Sequence, residues 1–213
     1  MRSLSSTHRG PKSSRLAYWV GRAYLTVAGW DTEGDLPEDM SKGILIAAPH
    51  TSNWDLPFML AVAWVYRLDL SWIGKHTLFE SALGNKFFTW LGGIPVDRRA
   101  RHGAVGQIID RFDATDQLYI AIAPMGTRSK GKHWKSGFYH MAHGAGVPII
   151  CGFLDYDRKR AGVGPVFVPT GDVKADMDRL RAFYEKVGAL RPELKTDIRL
   201  ADEEPAPLRE VAE

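Results

Sequence analysis

Two side chains in the stretch ILIAAPHTSNWDLPF, residues 44–58, are of types that move protons: His50 and Asp55. An imidazole with a pKa of about 6.5 takes a proton close to neutrality. A carboxylate on its other ring nitrogen fixes the tautomer and supports the charge the ring acquires. On one continuous helix a spacing of five leaves two side chains about 140° apart, so they would not meet. They do meet if His50 lies in the loop after a strand and Asp55 in the first turn of the next helix. Pro49 favours that arrangement, because proline suits a strand end and not a helix interior. Ser52 and Asp55 also form an S-x-x-D capping pattern, which predicts a helix from Ser52 and gives Asp55 a second use as cap and dipole partner. Capping accounts for Asp55 without His50. It does not account for a histidine at a strand end, where ligand sites gather in open α/β sheets.

A second stretch, IAPMGTRSKGKHWKSGF (122–138), offers the means to hold an anion. Gly126 and Thr127 present backbone N–H groups, Arg128 a planar fork, and Lys130, Lys132 and Lys135 mobile positive charge. A third, GGIPVDRR (92–99), brings Arg98 and Arg99 after a tight turn. Each loop alone reads as a solvated basic segment. Beside a base, and with neither a G-x-S-x-G nucleophile nor a cysteine next to a histidine, they point to a phosphorylated substrate whose hydroxyl loses its proton to His50.

The elements that must position these groups follow from hydropathy. GILIAA (43–48) reads as a strand buried on both faces, followed by a helix from Ser52 to about Arg67. SWIG (71–74), IPV (94–96), QLYIAIAP (117–124) and VPIICGFL (147–154) are extended, with GPVFVP (164–169) as a hairpin partner of the last. Helices are expected over 80–92, 104–113, 137–146 and 173–190. Alternating strands and helices predict one α/β domain, residues 31–195, with a mostly parallel or mixed sheet flanked by helices. Ahead of it stand a basic segment, expected to be flexible, and an aromatic amphipathic helix within 1–30, in which Tyr18, Trp19, Tyr24 and Trp30 suit a membrane–water interface. Behind it, residues 196–213 read as a loose acidic tail. Aromatic content of 11% and charged content of 25% are those of a globular chain. The single cysteine, Cys151, in the apolar run VPIICGF, reads as an inert core thiol. No apolar run reaches the roughly 20 residues of a membrane-spanning helix.

Four motifs in order carry a resemblance. HTSNWD resembles the H-x4-D motif of the glycerolipid (lysophospholipid) acyltransferase family, of the 1-acylglycerol-3-phosphate O-acyltransferase type. GGIPVDR is similar to that family's second motif, PMGTRS to its third, and GVPII to its fourth, with WKSG matching the F-K-x-G that follows the third. The match covers roughly residues 43–155. It implies transfer of an acyl group from acyl-CoA or acyl-carrier protein to a glycerolipid hydroxyl, with His50 as general base, Asp55 orienting it, and no acyl-enzyme. It places Arg98, Gly126, Thr127 and Arg128 around the acceptor phosphate, with Lys135 nearby, and calls for neither cofactor nor metal. One departure stands out: the glutamate of the third motif is Met125 here, which cannot balance an arginine. That predicts altered acceptor recognition, or a thioesterase that passes the acyl group to water.

Other readings remain open from sequence alone. His140 and His143 have the i, i+3 spacing of metal ligands but lack an obvious third partner. A non-catalytic lipid-binding module would also use basic loops and seven tryptophans, whereas no nucleic-acid-binding signature is present. With both lipid substrates at a bilayer, the expected location is cytoplasmic, peripheral at the inner face of a membrane.

Overall fold

A computed structural model describes residues 14–74, 76–95 and 103–203. Seven strands form one sheet in this region: β1 (Asp31–Glu33), β2 (Lys42–Ala48), β3 (Leu70–Gly74), β4 (Gly93–Pro95), β5 (Leu118–Ile122), β6 (Ile149–Asp155) and β7 (Arg160–Phe167). Their order is β1-β7-β6-β2-β5-β3-β4, parallel throughout except for the β6–β7 hairpin. The mixed α/β architecture expected from the alternating pattern is therefore present. β1 was not anticipated, because three residues of sequence DTE carry no hydrophobic period.

Among the described residues six α-helices cover the two faces: α1 (Arg15–Val27), α2 (Asp55–Val65), α3 (Ala82–Trp90), α4 (Gly103–Asp113), α5 (Gly137–Ala145) and α6 (Val173–Tyr184). Side-chain alternation along β2 divides the core. Ile44, Ile46 and Ala48 join Phe112, Phe138, Met177 and Leu180 under α4, α5 and α6, while Leu45 faces α2 with Ala121, Ile150 and Val163. α1 lies on α2 at Gly21, where an added Cβ would sit 2.6 Å from the Ala61 carbonyl oxygen, so only glycine permits this approach. Its other side leaves Trp19 66% and Val27 90% exposed. Trp30, grouped above with the interfacial aromatics, is instead a core residue: it lies beyond α1 and packs on Phe58 and Tyr156.

Three element ends differ from expectation for traceable reasons. α2 begins at Asp55 rather than Ser52, because the Asp55 carboxylate gathers the preceding amides into a turn and Trp54 makes no side-chain cap. α6 stops at Tyr184, since the chain after it is drawn onto the end of β6: the Gly188 N–H donates to Asp155 Oδ1 and its carbonyl accepts from the Tyr156 N–H. The expected loose tail is corrected over 196–203. Leu200 is 1% exposed and bridges Trp134, whose N–H donates to the Arg199 carbonyl. Residues 1–13, and those after 203, lie outside the described residues.

Candidate active site

The sheet register brings three loops together. Ile46 of β2 pairs with Ile122 of β5, and Ala48 of β2 pairs with Phe153 of β6. Leaving the carboxyl ends of these three neighbouring strands, the chain reaches His50 after β2, Gly126 after β5 and Tyr156 after β6. This is the crevice where open α/β sheets bind ligands.

His50 and Asp55 meet there. His50 Nδ1 lies 2.9 Å from Asp55 Oδ2, which also accepts from the Thr51 and Ser52 N–H groups at 3.0 and 2.9 Å. The Tyr156 hydroxyl donates to Asp55 Oδ1 at 2.7 Å. Asp55 is only 4% exposed, while His50 is half-buried and lines a cavity. Against a carboxylate, Nδ1 carries the hydrogen, which leaves Nε2 as the nitrogen with a lone pair. Both sequence roles of Asp55 are thus met by one group, since it orders the turn before α2 and holds the imidazole.

The cavity has a volume of about 900 Å³. One arm is apolar and runs between α2 and the sheet, with Met59 and Ala63 on the helix side and Leu45, Trp72, Ala121 and Val163 on the sheet side. The other reaches the loop after β5, where Gly126, Thr127, Arg128, His133 and Lys135 line it. Gly126 has φ +66°, and a Cβ there would lie 2.9 Å from Lys135 Cε, so glycine serves both the turn and the close passage of the lysine chain. The loop is pinned from outside: the Gly131 N–H donates to Thr196 Oγ1 at 2.9 Å, and Trp134 is buried against Phe138 and Tyr184. Arg128 and Lys135 have no acidic partner within ion-pair distance among the described residues.

Met125 is buried in the core under α4–α6 and is not part of the cavity lining. Arg98 lies outside the described residues. Cys151 is 1% exposed, and burial pushes its thiol up to about 12, out of reach of nucleophilic work near neutrality. His140 and His143 are exposed on α5, the latter stacked on the Tyr139 ring. No group of three or more His, Cys, Asp or Glu could hold a metal ion among the described residues. Sequence reasoning missed Tyr156 and His133. Tyr156 carries the signal of an aromatic directly after an apolar strand, but the identity of the neighbouring strand had to be known to use it.

The family model described as Acyltransferase matches residues 31–152, more than half of the chain. The chain belongs to the acyltransferase family. Among curated members, the 1-acyl-sn-glycerol-3-phosphate acyltransferase of Haemophilus influenzae is 31% identical over 144 residues, covering 63% of this chain and 58% of the relative. The Escherichia coli protein of the same description is 28% identical over 139 residues, covering 62% and 49%. The chain thus spans about half the length of the curated acyltransferases it matches. In fold it is similar to the crystal structure of the 1-acyl-sn-glycerophosphate (LPA) acyltransferase PlsC from Thermotoga maritima, with a TM-score of 0.54 and 20% identity over 81% of this chain and 75% of that one.

Proposed function

We propose that the protein transfers a fatty acyl group from a thioester donor, acyl-CoA or acyl-carrier protein, to a hydroxyl of a lysophosphatidate-type acceptor. The observation that carries this reading is the His50–Asp55 pair, placed where an apolar chamber meets a cationic wall in one cavity. His50 Nε2 takes the acceptor's hydroxyl proton as the oxygen attacks the thioester carbonyl carbon. The tetrahedral adduct collapses with cleavage of the C–S bond, and the departing thiolate takes the proton back from the imidazolium. No acyl-enzyme is needed. Arg128 and Lys135 supply paired positive charge for the acceptor phosphate, with the Gly126 and Thr127 amides beside them. Arg98 belongs to the same cradle on motif grounds. Met125 acts from beneath the loop, through packing, so its effect on acceptor choice runs through loop shape.

The deciding experiment follows labelled acyl-CoA and acyl-carrier protein with a panel of phosphorylated and neutral lyso-acceptors by mass spectrometry. Transfer to phosphorylated acceptors is expected. Acyl release at the same rate with no acceptor present would replace the transferase with a thioesterase.

The apolar arm between α2 and the sheet takes the acyl chain in this reading. Each buried methylene stabilises the bound donor by about 0.8 kcal/mol. Ala63→Phe places a ring in the chamber and is expected to shift donor preference toward shorter chains, with kcat/KM for long-chain donors falling at least about tenfold. An unchanged chain-length profile would move the acyl site elsewhere.

We further place the protein at the cytoplasmic face of a membrane, bound peripherally. No helix among the described residues is long and apolar enough to cross a membrane. α1 nevertheless directs Leu16, Trp19 and Val27 outward, and α3, on the same side of the sheet, directs Leu83, Phe87 and Trp90 outward. An exposed apolar stripe with a tryptophan suits the headgroup–acyl boundary. The double variant Trp19→Ser, Val27→Ser should co-sediment less with anionic phospholipid vesicles than the parent protein. Equal sedimentation would remove α1 from membrane contact.

A further inference from the structure

Asp55 is buried at the start of α2 and accepts from three groups of its own neighbourhood: His50 and the Thr51 and Ser52 amides, all on Oδ2. Its second oxygen is met from elsewhere in the chain. Tyr156 lies 101 positions away, yet its hydroxyl stands 2.7 Å from Oδ1. The ring is held edge-on to Trp30, with centroids 4.9 Å apart, and to Phe58 of α2 at 6.1 Å. Its backbone is fixed too. The Tyr156 N–H donates to the Gly188 carbonyl at 3.2 Å, and the preceding Asp155 accepts from the Asp157, Arg158 and Gly188 N–H groups and from Arg158 Nε. Nothing about the packing of an aromatic cluster requires a hydroxyl at this place. A phenylalanine would fill the same space.

The geometry points to Tyr156 as a positioning residue of the proton-transferring pair: its hydroxyl grips the Asp55 oxygen that His50 does not use, fixing the carboxylate's rotation and drawing off part of its charge. The assignment rests on the reading of His50 as the base. Two consequences follow. With the carboxylate rotation fixed, the imidazole stays aimed into the cavity. With its charge shared, Asp55 supports an imidazolium less strongly, so His50 gives its proton up to the leaving thiolate more readily. Burial, followed by the hydrogen bond to Asp55, raises the Tyr156 phenol well above its ordinary value, so it remains a donor across the working range. The titratable groups facing it are Asp55 from α2 and Tyr24 from α1, while Arg128, His133 and Lys135 share the cavity with His50.

Tyr156→Phe keeps the ring contacts and removes the donor. Its kcat should fall about tenfold, the scale of one hydrogen bond to a charged group, with KM nearly unchanged. The acid limb of its kcat/KM–pH profile should move to higher pH, and the His50 imidazole, followed by NMR, should titrate higher as well. A meta-fluorotyrosine at the same position is a stronger donor and should move the acid limb the other way. Unchanged kcat and an unchanged His50 titration in a folded Tyr156→Phe protein would overturn the assignment. If that variant does not fold, the fluorinated protein decides alone, and an unmoved acid limb and His50 titration overturn it equally. The His50→Ala protein separates the two levels. If it keeps its turnover, the base assignment fails, whereas the His50 NMR titration still reports whether Tyr156 acts on the pair.

Discussion

His50→Ala is expected to lower acyl transfer by roughly 10²–10⁴-fold, the contribution of a positioned general base, with little change in thermal unfolding. The asymmetry follows from the site. The imidazole is half-buried at the cavity edge and makes one side-chain hydrogen bond among the described residues, so its removal opens no hole in the core. The Thr51 and Ser52 amides keep their partner in Asp55. Donor binding should persist, because the apolar chamber is untouched. Steady-state transfer and equilibrium binding of a non-hydrolysable acyl-CoA analogue measure the two effects separately. Retention of more than a tenth of the parental turnover would leave the base elsewhere.

Asp55→Asn has the second largest expected effect, and it separates charge from scaffold. The asparagine carbonyl oxygen can still accept from the two loop amides and from His50 Nδ1, and its NH₂ can face the Tyr156 oxygen, which is able to accept. The turn before α2 should therefore survive. What is lost is the negative charge that, in the proposed mechanism, supports the imidazolium; a hydrogen bond to a charged group is worth about 1.5–3 kcal/mol, so turnover should fall by roughly 10- to 150-fold. Asp55→Ala should differ in kind. It leaves the buried Thr51 and Ser52 N–H groups without their acceptor, at about 1–3 kcal/mol each, so a lowered unfolding temperature should accompany the loss of activity. Equal turnover of Asp55→Asn and the parent protein would mean that orientation alone matters.

The parts of this architecture that could be read from the sequence are the local ones. His50 and Asp55 lie within one turn of each other, and strand-end logic was enough to pair them. The helices and long strands follow from apolar period, and the cationic loop from its composition. Sheet order could not be read, because alternation says nothing about which strands become neighbours, and the meeting of the β2, β5 and β6 loops depends on that order. Tyr156 was hidden for the same reason. The start of α2 was misplaced because the Asp55 carboxylate takes not only the Ser52 N–H that the capping pattern predicts but also the Thr51 N–H and the His50 ring, and so closes a turn before the helix begins. Packing of 196–203 was missed because charge there masks Leu200, which is the residue that docks.

The adjacency of three strand ends has an implication for how such a protein can change. In the proposed reaction, proton chemistry hangs from the middle rail, headgroup recognition would hang from the rail on one flank, and the hydroxyl proposed to steady the carboxylate from the rail on the other, while the apolar arm beside α2 would gauge chain length. On that reading a new acceptor headgroup can be accommodated by residues of the loop after β5, which lies on a different strand end from the β2–α2 turn that carries His50 and Asp55.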